Sequence, residues 1–138
     1  MTLINIDDQL VTKRKFKIAG KEREMTYSDE CALEIGRVQL TVTKLLEDID
    51  NTDEKKLEAN SVDENLKFIS EKYEEIRVAV FAFFDEYFGE KTGQEIYEYN
   101  QKSTRALSIV FSKVAEYLEK TEINDKSKQY KTKHKNKG

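Results

Sequence analysis

The sequence predicts a predominantly helical α+β protein, an N-terminal β-hairpin followed by a bundle of about four helices. Three observations predict it. Apolar residues alternate with a period of two near the start of the chain, around residues 11–27. From residue 28 they recur at spacings of three and four, the signature of one buried helical face. The 138 residues contain no proline and only five glycines, so little interrupts long helices. That length fits one domain. A chain of this size buries about two-thirds of its unfolded surface and needs no disulfide or metal to fold.

The hairpin occupies about residues 11–27. In Val11-Thr-Lys-Arg-Lys-Phe-Lys-Ile18, Phe16 and Ile18 face one way and Lys15 and Lys17 the other. Gly20-Lys21 offers a tight turn. Closing there sets Phe16 opposite Met25 and Lys17 opposite Glu24, with one apolar face and one face of opposite charges. A lone hairpin is marginal in water, so it must lie on the helices. Leu3, Ile4 and Ile6 form a candidate further strand.

The first helix spans about 28–50. Thr26 or Ser28 caps it, Asp29 and Glu30 suit its dipole, and Cys31, Ile35, Val38, Val42, Leu45 and Ile49 make its stripe. Ser61-Val-Asp-Glu64 reads as a capping box opening the second helix, about 61–88. Its stripe runs Val62, Leu66, Ile69, Tyr73, Ile76, Val80, Phe84 and Tyr87, and Gly89 ends it. Thr92-Gly-Gln-Glu95 reads as another capping box, opening a short helix at about 93–100 with Ile96, Tyr97 and Tyr99. Ser103 or Thr104 caps the last helix, about 104–120, with Leu107, Phe111, Val114 and Leu118 on one face. Residues 1–125 therefore form the single folded domain.

The formal net charge of −3 conceals a division. All 27 acidic residues lie at or before Asp125, and six of the 24 basic ones follow it, so residues 1–125 carry −9 and residues 126–138 carry +6. The basic tail holds Lys126, Lys128, Lys131, Lys133, Lys135 and Lys137 with one aromatic and no aliphatic residue, a composition expected to be disordered in isolation. Phosphate contact through these lysines is one reading, but an acidic body repels a duplex and the tail lacks interleaved aromatics for base stacking. The longest apolar run, residues 78–84, is far too short to span a membrane, and no leader pattern opens the chain. A soluble, intracellular protein is the expectation.

The residue inventory argues against catalysis. One cysteine allows no internal disulfide and no multi-thiolate metal site. The one histidine, His134, sits in the lysine tail, where nothing would position it as a base. Phosphate-loop, dinucleotide-binding and zinc-peptidase patterns are all missing. Cys31 lies on a core stripe, and carboxylate pairs such as Glu74-Glu75 and Asp85-Glu86 suit a solvated helix surface. Aromatic concentration stands out instead. Nine of the 14 Phe and Tyr residues fall between Phe68 and Tyr99. One helix cannot turn Phe81, Phe83, Phe84, Tyr87 and Phe88 into one small core, so either other elements sandwich it or part of the band faces a partner.

The helix end Phe83-Phe-Asp-Glu-Tyr-Phe-Gly-Glu90, the following Lys91-Thr-Gly-Gln-Glu-Ile-Tyr97, the next helix to Leu118 and the lysine terminus together resemble the tail assembly chaperones of long-tailed, siphovirus-type bacteriophages. The resemblance covers about residues 76–118, less than half of the chain. One departure is visible. Members often end in an Asn-Arg-Ala-Gln type of tail, whereas this chain ends Lys131-Thr-Lys-His-Lys-Asn-Lys137, so a role tied to those arginines does not carry over. The resemblance implies a non-catalytic protein without cofactor or metal. Its partner would be the tape-measure protein, with the tail tube protein as a second. It would work in the host cytoplasm and be absent from the mature virion. The candidate client surface is the band Phe84, Tyr87, Phe88, Ile96, Tyr97 and Tyr99. Helix spacing permits a homo-oligomer, and neither membrane nor nucleic acid is expected as a partner. The rivals are a nucleic-acid-associated phage accessory protein using the lysine tail and a structural tail or head connector subunit.

Overall fold

The computed structural model describes residues 2–6, 13–51 and 58–135, with side chains to Lys120. Its order is β1 (Lys13–Ile18), β2 (Lys21–Thr26), α1 (Asp29–Asp50), α2 (Val62–Phe88), α3 (Thr92–Tyr99) and α4 (Thr104–Lys135). The molecule is thus mostly helical with an N-terminal antiparallel hairpin. Val11, Thr12 and Lys137 lie outside the described residues, as do the side chains of the other five tail lysines.

The hairpin forms in a register two residues from the expected one. Phe16 faces Arg23, Lys17 faces Glu22 and Lys15 faces Glu24. The turn is Ala19-Gly20, with φ of 53° and 77°. Two consecutive left-handed residues make the tightest hairpin connection and match the twist of the strands. An even shift leaves every side chain on its face, so Phe16, Ile18 and Met25 still point inward and lysine still meets glutamate. Residues 2–6 form no strand, and Leu3, Ile4 and Ile6 stand exposed.

Ser28 caps α1, accepting from the Cys31 N–H at 3.1 Å, and Ser61 caps α2, accepting from the Glu64 N–H at 3.1 Å. The α1 stripe is buried from Cys31 to Leu45, while Ile49 is half-buried. On α2 the expected stripe starts late. Val62 and Leu66 are exposed, and burial begins at Ile76. The first turns of α2 therefore contribute little to the core.

The helix α2 touches β2, α1, α3 and α4, and its buried residues run from Ile76 to Phe84. This enclosure accounts for the aromatic density. Phe83 and Phe84 both meet Phe111 of α4, at ring separations of 5.1 and 6.3 Å. Phe88 meets Phe16 of the hairpin at 6.0 Å. Ser103 caps α4, accepting from the Ala106 N–H at 3.1 Å. Leu107, Phe111, Val114, Ala115 and Leu118 fill the core from α4. The α4 backbone continues to Lys135, past the expected end near residue 120, because no proline or glycine interrupts residues 104–135.

Candidate interaction surface

The corner between α2 and α3 is built from the residues of the aromatic–acidic motif. Gly89 ends α2 at φ 116°, and Lys91 takes a left-handed conformation. The Thr92 hydroxyl donates to the Gly89 carbonyl at 2.7 Å. A capping box at residues 92–95 does not form. Lys91 occupies the cap position without a side-chain bond, and the Gly93 N–H is taken by Asp85 Oδ1 of α2 at 2.9 Å. Glu95 serves another purpose. Its carboxylate accepts from Arg23 at 2.8 Å and lies 3.6 Å from Lys21, tying α3 to the hairpin. The Arg23 hydrogen bond holds the Glu95 carboxyl below the ordinary value of 4.5. Gly93 permits the close approach of the two helices, since a Cβ there would sit 2.7 Å from Phe81 Cα.

This corner divides the aromatic band. Phe84 and Ile96 are fully enclosed and present no surface. Tyr87, Phe88 and Tyr97 are half-buried against the core. Tyr97 packs edge-on to Phe81 at 5.8 Å, with the Arg77 guanidinium 5.5 Å from its ring. Burial pushes the Tyr87 phenol up. Tyr99 alone of the six is open, at 60% exposure.

Tyr99 lies on the rim of a groove of about 470 Å³ between β1 and α4. Phe16, Ile18, Ile109, Val110 and Tyr117 supply its apolar lining. Ile109 and Tyr117 are more than half exposed although Tyr117 packs edge-on to Phe16 at 5.4 Å. Among the described residues, the charged side chains in the lining are Lys17 and Lys113. An acidic body thus carries an apolar groove with two lysines and, among the described residues, no carboxylate at its rim.

Sequence reasoning found Tyr99 and missed the rest. The missing signal is legible. Ile109, Lys113 and Tyr117 recur every four residues, a second face of α4 beside the core stripe. A larger groove of about 1020 Å³ runs between α1 and α2, over Phe68 and Val78. Its walls carry Arg37, Lys44 and Lys72 together with Asp48, Glu71, Glu74 and Glu75, several of them already paired. That mixed, satisfied surface selects no partner charge. Among the described residues no helix is long and apolar enough to cross a membrane.

No protein-family model, curated protein or solved structure matches the chain. The functional reading therefore rests on its own residues.

Proposed function

We propose that the protein is a non-catalytic tail assembly chaperone of a long-tailed phage, holding apolar helical segments of the tape-measure protein in the groove between β1 and α4. The observation that carries this reading is an open apolar groove, edged by Lys17 and Lys113 with no carboxylate among its described lining residues, on a body of net charge −9. A tape-measure chain exposes apolar helix faces until the tube encloses it, and an amphipathic helix laid in such a groove covers them. The motif that resembles the chaperone family supports the reading physically. It forms the corner that brings Tyr99 to the groove rim. The band read from sequence contracts to Tyr99, because its other members pack into or against the core.

Co-expression with the tape-measure protein tests the proposal. Ile109→Asp lies on an exposed position and is expected to reduce co-purification at least about tenfold without changing thermal stability. Leu33→Asp, on the exposed side of α1, serves as the control and is expected to leave it unchanged. Retention of the client by Ile109→Asp overturns the groove assignment. Mass spectrometry of purified particles is expected to find the protein absent, and its stoichiometric presence would make it a structural subunit.

A further inference from the structure

We infer that the groove between β1 and α4 selects its occupant by charge, taking two turns of an amphipathic helix whose apolar stripe is flanked on both sides by carboxylates. This names the chemistry of the client segment and rests on the client site already proposed. The two walls match in length. On α4 the lining runs from Ile109 to Tyr117, a rise of about 12 Å. On β1 it runs over residues 16–19, about 10 Å of strand. Two helical turns rise about 11 Å, so such a segment lies along both walls at once. Tyr117 packs on Phe16 at one end, and at the other Tyr99 lies so near the hairpin turn that a Cβ on Gly20 would sit 3.4 Å from its ring.

Each wall carries one ammonium group near its middle. Lys113 lies between Ile109 and Tyr117 at helical spacing, and Lys17 lies between Phe16 and Ile18. Among the described residues neither lysine is held in an ion pair. An apolar stripe pressed into the groove brings its own flanking positions against these two side chains. Carboxylates there meet a lysine on each side, whereas lysines there meet like charge on both rims, and that repulsion is what discriminates. The field of the whole body points the other way. A charge of −9 on residues 1–125 attracts basic peptides and repels acidic ones. Salt screens that field beyond about 10 Å at 0.1 M, while contacts at the groove wall are screened less. The two lysines of the groove therefore outweigh the net charge in choosing the client segment.

Fluorescence anisotropy on the full chain tests this with three synthetic peptides of about 15 residues, long enough to hold a helix. All three share one leucine stripe and carry glutamate, glutamine or lysine on both of its flanks. In about 0.1 M salt the glutamate peptide is expected to bind at least about tenfold more tightly than the lysine peptide, with the glutamine peptide between them. In the double variant Lys17→Gln/Lys113→Glu that preference is expected to vanish. Both positions are exposed, and Lys17 is neutralised and not reversed because Glu22 faces it across the hairpin. A glutamate preference that survives in the double variant belongs to the lysines that follow Asp125 and overturns the proposal. Equal affinity for the three peptides, lost in Ile109→Asp, overturns selection by charge and leaves the groove as the client site. Failure of all three to bind removes the site itself, and both readings with it. Self-association of the wild type that is lost in Ile109→Asp places a second copy in the groove and likewise overturns the proposal.

Discussion

Cys31 sits in the first buried turn of α1 with no solvent exposure. Burial pushes its thiol from 9.0 up to about 11, and the carboxylates of Glu30 and Glu34 add to the shift. Because the thiolate is the reactive form, alkylation of the native protein near pH 8 is expected to run about 100-fold or more below that of the unfolded chain. A denaturant titration of the labelling rate checks this. The same shift sets a direction for stability. The folded chain keeps a proton that the unfolded chain releases, so this contribution is intact below about pH 9 and is lost as pH rises toward about 11. A second residue is strained in the opposite sense. Ala19 holds φ 53° in the hairpin turn, a conformation that costs an L-residue with a Cβ about 1 kcal/mol. Asn-Gly is the favoured pair for such a turn, and Ala19→Asn is expected to stabilise the protein by about 0.5–1 kcal/mol in a urea melt.

The contact between α2 and α3 shows how element-level features depend on chemistry from other parts of the chain. Asp85 caps a helix that begins seven residues after it, and Gly93 lets that helix lie on Phe81. Asp85→Ala removes the cap and is expected to cost about 1–2 kcal/mol. Gly93→Ala forces a methyl group against the Phe81 backbone and is expected to cost about 1–3 kcal/mol. Thermal melts check both. The elements themselves were legible in the sequence, since the periods of two and of three to four come directly from which faces are buried. Ser28, Ser61 and Ser103 also cap as their positions suggest. What escaped sequence reasoning is whatever depends on a distant partner. Thr92-Gly-Gln-Glu95 has the spacing of a capping box, but the Glu95 N–H bonds to the Lys91 carbonyl, the Thr92 hydroxyl turns to the Gly89 carbonyl and Arg23 takes the glutamate. The turn moved by one residue because alanine gives no signal of a left-handed conformation. The aromatic band could not be divided from composition, because an interface and a core use the same residues. Tyr99 escaped the core while Phe84 did not because Phe84 is enclosed by Phe83, Phe88 and Phe111, whereas Tyr99 stands at the groove rim beside the hairpin turn.

At the scale of the whole molecule, the hairpin is joined to the helical body by two kinds of contact. Phe16, Ile18 and Met25 pack inward against the core, and Phe16 meets Phe88 and Tyr117. Glu95 supplies a polar tie, accepting from Arg23, while Arg23 also donates to the Ile18 carbonyl at 3.0 Å. The helices are held to one another mainly by the apolar residues of α1, α2 and α4, which do not titrate in acid. Acid therefore acts unequally on the two parts. The Glu95 carboxyl is lowered in the folded protein, first by the Arg23 hydrogen bond and then, against opposing desolvation, by the charge of Lys21 and Arg23. A group shifted this way contributes stability above its unfolded value of 4.5, and that contribution is lost as pH falls through the lower folded value. Below pH 4.5 the hairpin amides are accordingly expected to gain exchange before the helical circular dichroism changes. In Glu95→Gln the tie is absent at every pH, so those amides are expected to exchange faster already at neutral pH and to lose most of their acid dependence. If acidification releases hairpin and helices together, with the same midpoint in wild type and variant, Glu95 does not hold the hairpin and the apolar contacts alone do.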